Sequence, residues 1–337
     1  MSRTVVITGA SAGIGRAVAH AYAERGYRLA LLARGRAGLD GAEQDCRARG
    51  AADVRTYQVD VADAVAVRAA ADDVAAAYGG IDVWINDAFI SVFAPAWEIA
   101  PDEYRRVTEV NYLGTVHGTL AALHHMRAAG HGAIVQVGSA LAYRGIPLQA
   151  AYCATKHAIQ GFNDSLRAEL LHDCPTVTLS MVQMPAINTP QFSWVRTRLP
   201  KHPQPVPPIY QPEVAAKAVL WAADRGKREV NVASATLKTR LGNIVAPGLL
   251  DRLLSTDKQG YDAQQTSDPV DLATWQDNVD KPVDDDRDHG AHGVFDDQAK
   301  DYSVALWATM HKPLVGSVLG AGLGLAAAGL TAALRRR

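Results

Sequence analysis

The sequence has few cysteines, almost no net charge and no N-terminal leader pattern. Its three cysteines, Cys46, Cys153 and Cys174, form no CxxC pair, which argues against a disulfide framework and favours a reducing compartment. The formal net charge of the 337 residues is -1, so we expect no nucleic-acid partner. The N-terminus lacks a charged region followed by a longer apolar run, so we expect a cytoplasmic protein.

Short apolar strands alternate with helices through most of the chain. Strands are predicted at residues 4–8, 27–33, 51–59, 81–85, 133–137 and 176–182. Helices are predicted at residues 16–25, 65–77, 102–129, 150–171 and 214–223. This alternation predicts an α/β fold with a doubly wound parallel sheet, in a single domain over residues 1–250. Such sheets bind ligands at the carboxyl ends of their strands.

Residues 251–310 depart from this pattern. The stretch 255–301 contains thirteen Asp, no Glu and only four Lys or Arg, so we expect a solvated acidic linker or extension, irregular or partly disordered. Upstream, the proline-rich residues 200–212 predict a loop beside the ligand-binding edge of the sheet. Together with the loop after Phe89, that segment is expected to form the substrate pocket.

Residues 311–337 predict an apolar C-terminal helix. The 21 uncharged residues 314–334 would span the ~30 Å hydrocarbon core as a helix, and Gly316, Gly320 and Gly324 would allow close helix packing. Only eight of the 21 are Leu or Val, which weakens the signal. Two alternatives stay open: membrane association through 314–334, or a buried or self-associating helix of a soluble homo-oligomer. A full span would place Arg335–Arg337 across the membrane from a cytoplasmic domain, against the positive-inside tendency.

The segment Thr8-Gly-Ala-Ser-Ala-Gly-Ile-Gly15 follows a predicted strand and opens a predicted helix. Gly9, Gly13 and Gly15 let the backbone turn tightly and approach a pyrophosphate at the helix N-terminus. A glycine triplet alone indicates only a turn, but this strand-and-helix context favours a dinucleotide site.

The end of the second predicted strand bears on the choice of cofactor. An acidic residue there would accept hydrogen bonds from a ribose 2′-hydroxyl, whereas this sequence has Arg34 and no acid until Asp40. A guanidinium pairs well with a phosphate, and Ser11 could add a hydroxyl, so NADP(H) is predicted. The alternative is that Arg34 is an ordinary solvated side chain of a loop.

Tyr152 and Lys156 lie four residues apart in a predicted helix, which places the phenol and the ammonium on one face. A neighbouring ammonium favours the phenolate, as a proton donor and acceptor near neutral pH requires. Ser139, just after a buried strand, supplies a second hydroxyl that could bond a substrate oxygen. On its own, a Tyr–Lys pair at this spacing is commonplace on helix surfaces.

In this order the motifs resemble the short-chain dehydrogenase/reductase family over residues 1 to about 245. Asp60-Val61, Asn86-Asp87-Ala88 and Asn111 complete the match. The resemblance implies a Rossmann-like fold and hydride transfer between NADP(H) and a small-molecule carbonyl or alcohol, small or apolar. The implied catalytic residues are Asn111, which helps hold a relay water, Ser139, which orients substrate, Tyr152, the general acid/base, and Lys156, which holds the nicotinamide ribose and lowers the tyrosine pKa. The implied cofactor-binding residues are Gly9, Ser11, Gly13, Ile14, Gly15, Arg34, Asp60 and Val61 at the adenine, Asn86, Ala88, Tyr152, Lys156, Pro185, Ile187, and Thr189 at the carboxamide.

Three features depart from the family pattern. Asp87-Ala88-Phe89 stands where Asn-Ala-Gly is usual, Ala186 replaces the glycine of Pro-Gly, and about 90 residues follow the core. These departures keep a second hypothesis open, a catalytically weak NADP(H)-binding regulatory or scaffold protein anchored by its C-terminal helix. No metal site is predicted, because His124 and His125 have no acidic or cysteine partner at ligand spacing in the sequence.

Overall fold

The fold is built on parallel strands with helices between them. The computed structural model describes residues 2–312. Its strands are β1 (Thr4–Thr8), β2 (Arg28–Ala33), β3 (Asp53–Gln58), β4 (Val83–Asn86), β5 (Val92–Phe93), β6 (Gly132–Ser139), β7 (Val177–Met184), β8 (Ala186–Ile187), β9 (Arg196–Thr197), β10 (Lys201–Pro203), β11 (Ile209–Tyr210), β12 (Glu229–Asn231) and β13 (Gln265–Pro269). Its α-helices are α1 (Gly13–Ala23), α2 (Arg36–Ala48), α3 (Ala64–Tyr78), α4 (Pro101–Thr108), α5 (Gly114–Ala129), α6 (Ala150–Asp173), α7 (Pro212–Arg225), α8 (Ser234–Val245), α9 (Pro247–Leu254) and α10 (Val304–Met310).

Seven of the strands form one sheet in the order β12-β7-β6-β4-β1-β2-β3. Every neighbouring pair in it is parallel. The strand order reverses between β1 and β4, which leaves a crevice at their carboxyl ends. The predicted doubly wound, Rossmann-like parallel sheet is therefore confirmed.

Both faces of the sheet are covered. Val5 and Ile7 of β1 belong to one apolar cluster, which includes Tyr22 of α1 and Val219 of α7. Val6 belongs to the cluster on the opposite face, which includes residues of α3 and α6. Successive residues of a strand point to opposite faces, so a strand packed on both sides must be apolar throughout. This explains the uninterrupted apolar pattern of β1.

Two helical features differ from the sequence prediction. Helix α2 was not predicted, although Leu39, Ala42 and Cys46 give it a buried stripe. The single helix predicted at 102–129 is divided by a π-helical turn, Glu109–Leu113, into α4 and α5. A π turn inserts one residue into the helical repeat and redirects the side chains around it.

The acidic segment after α9 packs against the core. Most of it lacks helix or strand, as its composition predicts, apart from β13, which pairs antiparallel with β10. It contacts the core at several positions, since Val279 is fully buried and Asp284 is only 8% exposed. Aspartates of this segment form ion pairs with arginines of the core, such as the pair between Arg16 and Asp288 at 3.0 Å. We call residues 277–292 the strap.

Within residues 2–312, no helix has the length and apolar character needed to cross a membrane. The apolar helix predicted at 314–334, on which membrane association and self-association were predicted, lies outside the described residues.

Candidate active site

The glycine-rich turn after β1 forms a close-packed cradle. Gly9 and Gly13 have φ values of +69° and +57°, which favour glycine. A Cβ at Gly15 would lie 2.2 Å from the carbonyl oxygen of Gly9, and one at Gly9 would lie 2.9 Å from the backbone of Ala88. Side chains at these positions would therefore clash with the turn and with the backbone after β4, and the close packing keeps the turn at the N-terminus of α1, where a helix can stabilise a pyrophosphate.

A first cavity runs from this turn across the carboxyl ends of β1, β2 and β4. Its volume is about 860 Å³ when the open solvent at its mouth is included. The predicted cofactor residues that line it are Gly9, Ser11, Gly13, Ile14, Arg34, Asp60, Val61, Ala88 and Thr189. The glycine-rich turn and these lining residues fit a nicotinamide dinucleotide whose pyrophosphate lies at the turn.

Asn86 does not line this cavity. Its amide donates to Gln136 Oε1 at 2.9 Å and to Thr119 Oγ1 at 3.1 Å, and its oxygen accepts from the indole of Trp84 at 2.8 Å. These contacts place Asn86 in the packing between the sheet and α5. Asp87 and Ala88 reach the cavity instead, and both donate their backbone N–H groups to Thr8 Oγ1.

Asn111 lies in the π turn and joins two elements. Its side-chain oxygen accepts from the N–H of Ile90 at 2.8 Å, and its amide donates to the Ile90 carbonyl at 3.0 Å and to Thr155 Oγ1 at 3.1 Å. The side chain thus holds the loop after β4 against α6, which carries Tyr152. In this position Asn111 fixes the relative placement of groups lining the site.

A second cavity, with about 390 Å³ of space for water-sized molecules and about 1,660 Å³ when open solvent is included, meets the first at Ile14, Phe89, Thr189 and Gln191. The predicted site residues that line it are Ser139, Tyr152, Lys156, Pro185, Ile187 and Thr189. The predicted catalytic hydroxyls and ammonium therefore line the second cavity, and Tyr152 and Lys156 lie close to Phe89, which both cavities share. Parts of the proline-rich loop and of the loop after Phe89 line it as well.

Tyr152 is half-buried on α6, with its ring 5.8 Å from that of Phe89 in an edge-on arrangement. Burial raises the pKa of the Tyr152 hydroxyl, and a hydrogen bond with Ser139 acts in the opposite direction. The Ser139 Oγ also accepts from the N–H of Leu141 at 3.1 Å, which caps the turn after β6. The two hydroxyls are therefore placed together by the end of a strand and the start of a helix.

Lys156 is buried, and its ammonium donates to the carbonyl of Val137 at 2.8 Å. Its Nζ lies 5.5 Å from the ring centroid of Tyr152. Burial lowers the pKa of Lys156, whereas the charge of Asp87 acts to raise it. Burial likewise raises the pKa of the Asp87 carboxyl, against the opposing influence of Lys156 and a backbone hydrogen bond from Gly15. The two groups form a coupled buried pair.

At the other end of the first cavity, Arg34 and Asp60 already have protein partners. The guanidinium of Arg34 donates to the carbonyls of Asn278 and Val279 in the strap. Asp60 accepts from Arg106 at 2.5 Å. Burial alone would raise the pKa of Asp60, but this bond and one from a backbone N–H outweigh it, so that pKa is lowered.

Sequence reasoning missed two contributors to the cavities. One is α9, whose Leu250, Leu253 and Leu254 line the second cavity. The other is the strap, whose Asn278 and Asp284 line the first. Helix α9 has no buried residue, and no local signal in the sequence indicates that it lines a cavity. For the strap, composition alone predicted a solvated acidic linker and gave no indication of a contact with the first cavity.

The structure corrects one argument about metal binding. Asp72 of α3 lies beside His124 and His125, with their ligand atoms within 4.8 Å of one another. Sequence spacing could not detect this partner, because it comes from another helix. The Asp72 carboxylate is already engaged by Arg68 at 2.8 Å and by His125 at 2.7 Å.

Comparison with known proteins identifies the family. Residues 3–199, more than half of the chain, match the family described as short chain dehydrogenase. The chain belongs to the short-chain dehydrogenase/reductase family. It is accordingly an oxidoreductase.

Relatives of this short-chain dehydrogenase/reductase include the uncharacterized oxidoreductase YxnA of Bacillus subtilis, 31% identical over 79% of this chain and 75% of the relative. The D-threitol dehydrogenase of Mycolicibacterium smegmatis is 35% identical over 66% of this chain and 86% of its own length. The Dehydrogenase/reductase SDR family member 7B of Bos taurus is 37% identical over 52% and 56% of the two chains.

Proposed function

We propose that this chain transfers a hydride between NADP(H) and a carbonyl/alcohol substrate, with Tyr152 as general acid/base. The observation that carries the proposal is that Ser139, Tyr152 and Lys156 line the second cavity together, with Tyr152 and Lys156 close to Phe89, which both cavities share. A bound nicotinamide would supply the hydride for reduction or accept it for oxidation.

The chain's own residues handle the proton. Tyr152 gives its proton to the carbonyl oxygen during reduction and takes it back from the alcohol during oxidation. Ser139 donates a hydrogen bond to the same substrate oxygen, where negative charge develops. Lys156 holds positive charge near the phenol and stabilises its deprotonated form.

The choice of NADP(H) rests on Arg34. Its side chain lines the first cavity at the end of β2, where a cationic group can pair with a 2′-phosphate. No acidic residue of β2 itself opposes it.

For the substrate we propose a bulky, largely apolar carbonyl compound. The second cavity is much larger than a short-chain ketone needs. Its walls carry aromatic and aliphatic side chains, among them Phe89, Phe93, Ile146 and Leu250. The polar atoms that would bind the reacting oxygen, those of Ser139 and Tyr152, lie at one end of it.

The test measures NADPH oxidation on a series of aldehydes and methyl ketones of increasing chain length. We expect kcat/KM to rise with chain length, and Tyr152→Phe to lower kcat by at least about 100-fold. Tyr104→Phe is the matched control, because its hydroxyl bonds a surface carbonyl away from the site. Comparable turnover by the wild type and Tyr152→Phe would contradict the catalytic assignment.

One observation favours a second candidate, a dinucleotide-binding protein with little activity. Asp87 Oδ1 is buried and has no hydrogen-bond partner among residues 2–312, an unusual group to place beside a catalytic lysine. Tight NADPH binding without turnover of any member of the panel would support this candidate.

A further inference from the structure

The adenosine end of the first cavity has a wall that comes from the far end of the chain. Strap residues Asn278, Pro282, Val283 and Asp284 line the cavity together with Arg34 and Asp60. The strap is held there from several sides. The N–H of Gly13 donates to the carbonyl of Gly290 at 3.1 Å, and Arg16 pairs with Asp288.

Oxygen atoms of the strap accept hydrogen bonds from backbone N–H groups of the β2–α2 turn. The N–H of Arg36 donates to Asp285 Oδ1 at 3.0 Å, and those of Ala37 and Gly38 donate to the carbonyls of Asp285 and Asp284. These donors at the N-terminus of α2, with the Arg34 guanidinium, are the groups that would bind an anion at this place. The strap therefore satisfies them with its own oxygens.

Asp284 differs from its neighbours in the strap. The residue is 8% exposed and lines the first cavity, whereas the carboxylate of Asp285 accepts from Arg36 and Gln58. The Asp284 carboxylate lies over the turn, since a Cβ at Gly35 would fall 1.9 Å from its Oδ1 and one at Gly38 would fall 2.5 Å from its Oδ2. A carboxylate that lines the cavity beside this turn is suited to a ligand that donates hydrogen bonds to it.

We propose that Asp284 determines cofactor specificity from the C-terminal extension by disfavouring a 2′-phosphate on the adenosine ribose. A ribose 2′-hydroxyl can donate to this carboxylate, whereas a phosphate at the same carbon brings like charge to it. Arg34 and Asp284 then act in opposite directions on one subsite. The inference rests on the proposed function, because it requires a nicotinamide dinucleotide in the first cavity.

The experiment compares dissociation constants of NADPH and NADH by isothermal titration calorimetry with the full chain. In Asp284→Asn we expect the ratio of Kd for NADH to Kd for NADPH to rise by at least about tenfold. The ratio of Kd for ADP to Kd for adenosine 2′,5′-bisphosphate should rise as well. Asp286→Asn is the matched control, because this substitution removes the same charge from an exposed position of the strap. It should change the ratio by less than about twofold.

Asp284→Ser, also neutral but smaller, keeps the test valid if the asparagine variant folds poorly. An unchanged or lower ratio in both Asp284 variants overturns the proposal, as does an equal rise in Asp286→Asn. Wild-type chain that binds neither dinucleotide would overturn the proposed function itself. Binding of both with an unchanged ratio would overturn only the role of Asp284.

Discussion

The two ends of the first cavity are built in different ways. One end meets the second cavity, which is lined by Tyr152 and Lys156 from one turn of α6 and by Ser139 from the end of β6. At the adenosine end, Arg34 bonds carbonyls 244 and 245 residues away in the sequence. One end is fixed by regular secondary structure, and the other is completed by an irregular segment that reaches it through tertiary contacts.

This difference has a physical basis. Helix and strand backbones satisfy their own hydrogen bonds, so the side chains they carry are held by many cooperative contacts. The strap has few such bonds and relies on scattered ones, such as those from Gly13 and Gly38. We therefore expect changes at the catalytic end to alter the chemical step, and changes at the adenosine end to alter cofactor affinity. The following tests address that expectation.

The largest effect is expected from Lys156→Met. Loss of the ammonium removes the positive charge beside Tyr152 and leaves the buried Asp87 carboxyl without an opposing charge. We expect kcat to fall by about 100-fold or more. Lys217→Met, at an exposed position of α7, is the control. A variant with normal kcat and only a higher Kd for NADPH would contradict the expected difference between the two ends, because Lys156 would then contribute to cofactor binding alone.

At the adenosine end, Arg34→Ala should weaken NADPH binding by about 10- to 100-fold, the range of a charge-assisted phosphate contact. NADH binding should change much less, and saturating NADPH should restore normal kcat. Arg36→Ala serves as the control, because that side chain is exposed and pairs with Asp40. Equal weakening of both dinucleotides would show that Arg34 only supports the strap.

Val279→Ala tests how firmly the strap belongs to the folded unit. Val279 is fully buried in the cluster that contains Val61 and Val110, so its truncation should lower the free energy of unfolding by about 2 kcal/mol. Urea denaturation of this variant and of Val294→Ala, whose side chain is 75% exposed, measures the difference. Equal stabilities would mean that the strap separates from the core before global unfolding.

The smallest effect is expected from Asp87→Asn. The charge of Asp87 contributes to raising the pKa of Tyr152, so its removal lowers that pKa. A phenol with a lower pKa is deprotonated at lower pH. The pH profile of alcohol oxidation should therefore move by a fraction of a pH unit toward acid. A shift toward alkaline pH would contradict this role for Asp87.

How far the sequence could be interpreted follows the same division. The strands and the pair Tyr152 and Lys156 are visible because their spacing is local and their periodicity repeats over several residues. The interruption at Glu109–Leu113 and the position of α9 were not predicted, since a π turn has no periodic signature and tertiary contacts decide which surface a helix covers.

The strap shows the limit of composition. Thirteen aspartates in 255–301 predict solvation when each is taken as a free charge. The structure pairs several with arginines, as Arg196 does with Asp277 at 2.9 Å and with Asp280 at 2.7 Å. Such pairs cannot be read along the chain, because their partners lie about 80 residues apart.

The contact between Arg34 and the strap has a consequence for biosynthesis. A chain that folds as it leaves the ribosome can complete β1 to β7 and the junction around Tyr152 while the strap has not yet been made. The adenosine end is finished only when residues 277–292 emerge and close a loop of more than two hundred residues. A nascent chain would therefore carry the proposed catalytic groups, Ser139, Tyr152 and Lys156, in place before the first cavity has a complete wall.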